Sequence, residues 1–143
     1  MNHKAKILIV DDEEVVRRSF TRILDSAHCQ VKSVEGGAQA AQAMQDDPAD
    51  VVLLDLRMPD VDGMTVLRAL KQRWPASEVI IVTGDPTIES AKEAVALGAY
   101  DYLAKPLGPD QVIEASTAAL RHKCWALHSV AGPHQPEFQR SPS

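Results

Sequence analysis

Four short apolar runs punctuate the chain at regular intervals: Ile7-Leu8-Ile9-Val10, Val51-Val52-Leu53-Leu54, Val79-Ile80-Ile81-Val82 and the weaker Tyr100 to Leu103. A fifth segment, Gln30 to Val34, alternates apolar and polar residues. Uninterrupted β-branched runs of four fit strands covered on both faces, as in parallel sheets flanked by helices. Between the runs the spacing turns helical. Val16, Phe20, Ile23 and Leu24 recur at three and four residues, as do Val66, Leu67 and Leu70, and then Ile88, Ala91, Ala94, Val95 and Leu97. Alanines dominate Ala38 to Met44, which predicts a helix packed closely on its neighbours. Gly63 precedes one helix and Pro75 follows it, while Gly98 stands where a helix ending at Leu97 wants a left-handed cap. A last helix is expected from about Pro109 to about Leu127.

Strand then helix, five times over, is handled economically by a parallel α/β sheet with right-handed crossovers. A length of 143 residues suits one domain. Residues 4–127 are read as that domain and 128–143 as a tail or truncated linker, since Gly132 to Ser143 holds Pro133, Pro136 and Pro142 among polar residues.

Composition narrows the function. An apolar fraction of 45% with 24% charged residues is ordinary globular usage. A net charge of −5 leaves no large basic surface for a phosphate backbone, so direct nucleic-acid binding by this chain is not expected. No stretch approaches about 18 consecutive apolar residues, so no membrane span is expected. The apolar run after Met1 to Lys6 is too short for a signal peptide and ends in acid. Two cysteines, Cys29 and Cys124, fit a reduced, cytoplasmic protein. They read as buried or surface thiols, and His28 and His122 beside them do not make a metal site.

In such a sheet, ligands bind outside the carboxyl ends of the strands, so the residues that follow each run matter most. Asp11, Asp12, Glu13 and Glu14 follow the first run; Asp55, Thr83-Gly84 and Lys105-Pro106 follow later ones. Each has a bland explanation. The acids could start a helix and complement its dipole, Asp55 could cap a turn, Thr83 could cap the helix after Gly84, and Lys105 could be a solvated lysine. Their joint occurrence at successive strand ends is what carries weight. Three clustered carboxylates repel and raise one another's pKa unless a cation joins them. A hard divalent ion such as Mg²⁺ answers that, with Lys105 as a mobile positive charge facing Asp55. Together they could gather phosphoryl oxygens, and a carboxylate can itself accept the phosphoryl group.

These residues resemble the receiver domain of two-component response regulators. The likeness spans about Lys4 to Lys123 and rests on Asp11-Asp12, on Asp55 through Gly63, on Thr83-Gly84 and on Gly98 through Pro106. The resemblance implies a flavodoxin-like, doubly wound, five-stranded parallel sheet of order 2-1-3-4-5 with five helices in three layers. It implies that Asp55 accepts phosphate from the phosphohistidine of a sensor histidine kinase or phosphotransfer protein, so the chain is a phosphoacceptor rather than a classical enzyme. Asp12, Asp55 and the Arg57 backbone carbonyl would ligate Mg²⁺, with Asp11 acting through a water. Lys105, Thr83 and Gly84 would bind the phosphoryl group, and the peptide bond into Pro106 would be cis, which is cheap only at proline. Thr83 and Tyr102 would form a switch pair that remodels the face made by the fourth helix, fifth strand and fifth helix. That face, with Ile88 and Leu97, would serve a homodimer, an output domain or a partner.

Arg57 and Asp85 are expected to flank the phosphoryl group as an ion pair that tunes the lifetime of the phosphorylated state. Gly84 either leaves the site open to a bulky donor or permits a tight turn. The apolar turn Cys124-Trp125-Ala126-Leu127 offers a partner contact or packs on the domain. A haloacid-dehalogenase-type phosphohydrolase would place its nucleophile on the first strand in an Asp-x-Asp. A dinucleotide enzyme would need a glycine-rich first turn. Neither pattern is present. A phosphorylation-independent, receiver-like docking module is the remaining alternative.

Overall fold

The computed structural model describes residues 4–26 and 28–131, with side chains as far as Cys124. Five strands alternate with five helices: β1 (Ala5–Val10), α1 (Glu14–Leu24), β2 (Cys29–Val34), α2 (Gly37–Asp46), β3 (Val51–Asp55), α3 (Gly63–Arg73), β4 (Glu78–Thr83), α4 (Ile88–Ala96), β5 (Asp101–Ala104) and α5 (Pro109–Ala131). The sheet runs β2-β1-β3-β4-β5, every neighbouring pair parallel. This is the three-layer order that the resemblance to receiver domains implies.

Alternation along each strand assigns its side chains to two cores, because successive residues of a strand face opposite sides of the sheet. Leu8, Val10, Val52, Leu54, Val79 and Ile81 meet α2, α3 and α4 through Ala40, Met44, Leu67, Leu70 and Ala94. Ile7, Ile9, Val51, Leu53, Ile80 and Val82 meet α1 and α5 through Phe20, Leu24, Val112, Ala115 and Ala119. Both faces of β1, β3 and β4 are therefore apolar, which is why those runs show no polar alternation. Burying each such side chain contributes about 1.5–3 kcal/mol. The edge strand β2 is only half-covered, and its sequence alternates accordingly.

Helix boundaries follow local chemistry. Asp62 caps α3 by accepting from the Met64 N–H at 3.4 Å. Thr87, not Thr83, caps α4, accepting from the Ser90 N–H at 3.0 Å. Gly98 closes α4 with φ +99°, and the Ala99 N–H then reaches the Ala94 carbonyl at 2.9 Å, the left-handed stop expected of glycine.

Boundaries shift from the sequence reading by a residue at β2 and α4, and β5 and α5 differ as well. The last strand is Asp101–Ala104, one residue later than Tyr100 to Leu103, although the Tyr100 N–H still bonds the Val79 carbonyl at 2.7 Å. Helix α5 continues to Ala131, so residues 128–131 are helical. Nothing after Leu127 breaks a helix before Gly132 and Pro133. Cys124 is exposed, and the contacts expected of Trp125 to Leu127 lie outside the described side chains. Among the described residues, no helix is long and apolar enough to cross a membrane.

Candidate functional site

Parallel strands of similar length end on one rim, and that rim collects the chemistry. Asp11 follows β1, Asp55 ends β3, Thr83 ends β4, and Lys105 follows β5. Register fixes their depth: Val10 lies beside Leu54, Asp55 beside Val82, and Thr83 beside Ala104. Asp11, Asp55 and Thr83 are buried and Asp12 is exposed.

Asp11 is anchored on every side. Its N–H bonds the Val34 carbonyl at 3.1 Å. One carboxylate oxygen accepts from the Glu13 N–H at 2.9 Å and the other from Lys105 Nζ at 2.9 Å. Arg17 Nη1 donates to its carbonyl at 2.8 Å. The acidic run is therefore not simply a helix cap: Glu13 occupies the N-cap of α1 without a side-chain capping bond. Asp55 accepts from the Arg57 N–H at 3.2 Å. The loop after Asp55 is pinned by Asp60, which accepts from the Gly37 N–H at 3.0 Å. Gly63 allows that loop to fold back tightly, since a β-carbon there would lie 2.6 Å from Leu56 Cα.

Lys105 Nζ stands 2.9 Å from Asp11, 3.4 Å from Glu13 and 3.7 Å from Asp55. It is thus turned toward Asp11. Its own N–H continues the sheet to the Thr83 carbonyl at 2.8 Å, and the bond into Pro106 is cis. Burial pushes the Asp55 carboxyl up to about 6, and the Asp11 charge adds to this; the Arg57 N–H and Lys105 only partly oppose it. Burial pulls the Lys105 ammonium down, but the Asp11 hydrogen bond and the charges of Asp11, Asp55 and Glu13 outweigh it, leaving it raised.

Asp11, Asp12 and Asp55 each offer a carboxylate oxygen within 4.8 Å of the others. Three carboxylates against one ammonium leave the cluster short of positive charge, and two of the three are buried. The donor set is all oxygen, which fits a hard divalent cation such as Mg²⁺. Among the described residues this is the one such metal-capable group. His122 instead pairs through Nδ1 with Glu78 at 2.5 Å and packs on the Tyr100 ring.

A cleft of about 340 Å³ opens onto this cluster, lined by Asp12, Glu13, Asp55, Arg57, Gly84, Asp85 and Lys105. Arg57 and Asp85 form an ion pair across it, both side chains two-thirds exposed. Gly84 does not adopt the left-handed conformation, and a β-carbon there would meet nothing within 4 Å. The tight-turn explanation of Gly84 therefore falls away and the open mouth remains. The Thr83 hydroxyl accepts from the Asp85 N–H at 3.1 Å. Tyr102 is half-buried, and its hydroxyl accepts from the Thr87 N–H at 3.2 Å and hydrogen-bonds Ser90.

Glu13, Arg17, Thr87 and Ser90 escape the sequence reading as site neighbours. Arg17 carried a usable signal, standing one helical turn after Glu13 and so on the same side of α1. Ser90 carried none, because its partner is twelve residues away on a strand.

The model of the response regulator receiver domain matches residues 7–117. The chain is 35% identical over 116 residues to the DNA-binding transcriptional regulator NtrC of Escherichia coli K12, covering 81% of this chain and 25% of that protein. It is 38% identical over 109 residues to an NtrX-like response regulator of Rickettsia bellii, covering 75% and 23%. Among solved structures, the receiver domain of NtrX from Brucella abortus superposes with a TM-score of 0.76 at 31% identity, covering 80% of this chain and 98% of that one. The chain belongs to the response regulator receiver domain family of two-component systems. It spans about a quarter of the length of the curated relatives it matches.

Proposed function

We propose that the chain is a phosphoacceptor, in which Asp55 takes a phosphoryl group from the phosphohistidine of a sensor histidine kinase or phosphotransfer protein. The observation that carries this reading is the buried Asp55 carboxylate, raised by Asp11 and burial and faced by Lys105, at the bottom of an open cleft. An Asp55 oxygen attacks phosphorus as the donor's N–P bond breaks. Lys105 then moves from Asp11 to a phosphoryl oxygen, staying within reach of its two other carboxylate partners, Glu13 and Asp55. The Thr83 hydroxyl turns from the Asp85 amide to a second phosphoryl oxygen, and the absent side chain at Gly84 gives a histidine donor room to approach. Asp12, Asp55 and the Arg57 carbonyl would hold Mg²⁺, with Asp11 reaching it through water, and the ion when bound neutralises charge on the transferring group.

Arg57 and Asp85 cover the mouth and hinder the hydrolytic water. An exposed pair is worth about 0–1 kcal/mol, so its effect on the phosphorylated lifetime is several-fold at most. Phosphorylation switches Thr83 and Tyr102 and thereby the α4-β5-α5 face, where Ile88, Val95 and Ile113 are exposed apolar side chains. That face engages a second copy, an output domain or a partner protein. With a net charge of −5 the receiver itself does not contact nucleic acid, although one relative is a DNA-binding transcriptional regulator. We place the protein in the cytoplasm, where sensor kinases present their phosphohistidines.

Borohydride reduction tests the assignment, since it converts an aspartyl phosphate to homoserine. After incubation with acetyl phosphate and Mg²⁺, homoserine appears at position 55. Recovery of unmodified Asp55, or of homoserine elsewhere, rejects the proposal.

A further inference from the structure

The loop from Gly84 to Thr87 is tethered at both ends. At its start the Asp85 N–H donates to Thr83 Oγ1 at 3.1 Å, and the Asp85 carboxylate pairs with Arg57. At its end Thr87 caps α4, exchanging hydrogen bonds with Ser90: Ser90 N–H to Thr87 Oγ1 at 3.0 Å and Thr87 Oγ1 to Ser90 Oγ at 2.9 Å. The N–H of an N-cap residue has no intrahelical acceptor. Here it donates across to the phenol oxygen of Tyr102 on β5 at 3.2 Å, and the Ser90 hydroxyl bonds the same oxygen. The Tyr102 ring packs against the core beneath α2, α3 and α4. One phenol oxygen thus ties β5 to the first turn of α4.

We propose that Ser90, together with the Thr87 amide, is a positioning residue that holds Tyr102 on the first turn of α4, and that this latch sets the balance between resting and active states. The inference rests on the phosphoacceptor reading above. In the structure the Thr83 hydroxyl serves the Asp85 amide. When that hydroxyl swings toward a phosphoryl group on Asp55, the Asp85 amide bonded to it is drawn along or released, and the loop is displaced at Asp85. Only Pro86 separates Asp85 from Thr87, and proline has a fixed φ and no N–H of its own. A displacement at Asp85 is therefore passed to Thr87 with little slack, and the Thr87 N–H leaves Tyr102. Weakening the latch favours the active arrangement, and by linkage it tightens binding of anything that selects that arrangement by the same factor. Coupling through the aromatic ring alone would make the phenol oxygen dispensable. The latch makes it count.

The test is the affinity of the full chain for beryllofluoride with Mg²⁺, a phosphoryl stand-in, by titration calorimetry. One neutral hydrogen bond corresponds to a factor of about 2–10. Ser90→Ala and Tyr102→Phe each tighten binding by that factor, and the double variant is no tighter than Tyr102→Phe alone. Ser90→Thr, which keeps the hydroxyl, returns the affinity toward wild type. In metal-free protein, amide exchange at Thr87 is faster by a similar factor in Ser90→Ala and Tyr102→Phe. Unchanged or weaker affinity in either single variant, additive effects in the double variant, or unchanged exchange at Thr87 overturns the latch. A wild-type chain that fails to bind beryllofluoride overturns the phosphoacceptor reading and the latch with it. Binding by the wild type with unaltered variants overturns the latch alone.

Discussion

Asp55→Asn removes a charge that the folded chain holds at a cost, so the variant is expected to be more stable than the wild type in metal-free solution. The carboxyl titrates at about 6 when folded, against an ordinary value of 3.8, because of burial and the neighbouring Asp11 charge. A raised folded pKa means that ionisation is opposed by folding. The cost is absent below about pH 4, grows between about 4 and 6 and is fully present above that. Taken whole, the difference corresponds to roughly 3 kcal/mol at neutral pH. The cleft beside Asp55 is open to water, so screening reduces this to about 1–2 kcal/mol. Asparagine keeps an oxygen for the Arg57 N–H and loses only the charge. Urea unfolding in the presence of a chelator, at about pH 7.5 and about pH 4.5, measures the effect directly. The variant gains about 1–2 kcal/mol at the higher pH and about a third as much at the lower one. Saturating Mg²⁺ reverses the order, because it stabilises the wild type by mass action and finds one carboxylate fewer in the variant. A variant no more stable than wild type at pH 7.5, or a gain that does not grow with pH, would refute the electrostatic account of the cluster.

Three further outcomes follow from the same geometry. Lys105→Met leaves Asp11 and Asp55 buried without their cation, and is expected to cost about 1–3 kcal/mol by chelator-treated urea unfolding at neutral pH; in the wild type this contribution is lost only at alkaline pH, as the medium passes the raised Lys105 pKa. Leu54→Ala, at a fully buried position next to Asp55, opens a core cavity and costs about 3–4 kcal/mol in the same assay, whereas an effect below about 1 kcal/mol would contradict the packing described. Arg57→Ala and Asp85→Ala each change stability by less than about 1 kcal/mol but accelerate dephosphorylation several-fold, and unchanged decay rates in both would discard their role at the mouth.

Much of this arrangement is legible in the sequence. Val51 to Leu54 and Val79 to Val82 announce themselves because a central parallel strand is covered on both faces and so cannot afford a polar residue. The site was legible for a related reason. Strand ends of a parallel sheet share one rim, so Asp11, Asp55, Thr83 and Lys105 could be brought together from topology alone. What stayed hidden depends on distances across elements. Glu13 looks like a helix-starting acid until its carboxylate is found 3.4 Å from Lys105. Thr83 looks like a helix cap, but that place belongs to Thr87, four residues on. Ser90 looks like an ordinary polar position of an amphipathic helix, and only the approach of β5 gives it Tyr102. The continuation of α5 past Leu127 to Ala131 rests on the absence of breakers, a weaker signal than periodicity.

Intact mass of the chain after incubation with acetyl phosphate, with and without Mg²⁺ and beside Asp55→Asn, tests the central claim most directly. A gain of one phosphoryl group, about 80 Da, that requires the metal and is lost in the variant is the predicted result for an aspartyl phosphate at position 55. The same gain in Asp55→Asn, or no gain in the wild type with Mg²⁺ present, would contradict it and leave the chain a docking module that keeps the receiver fold without its chemistry.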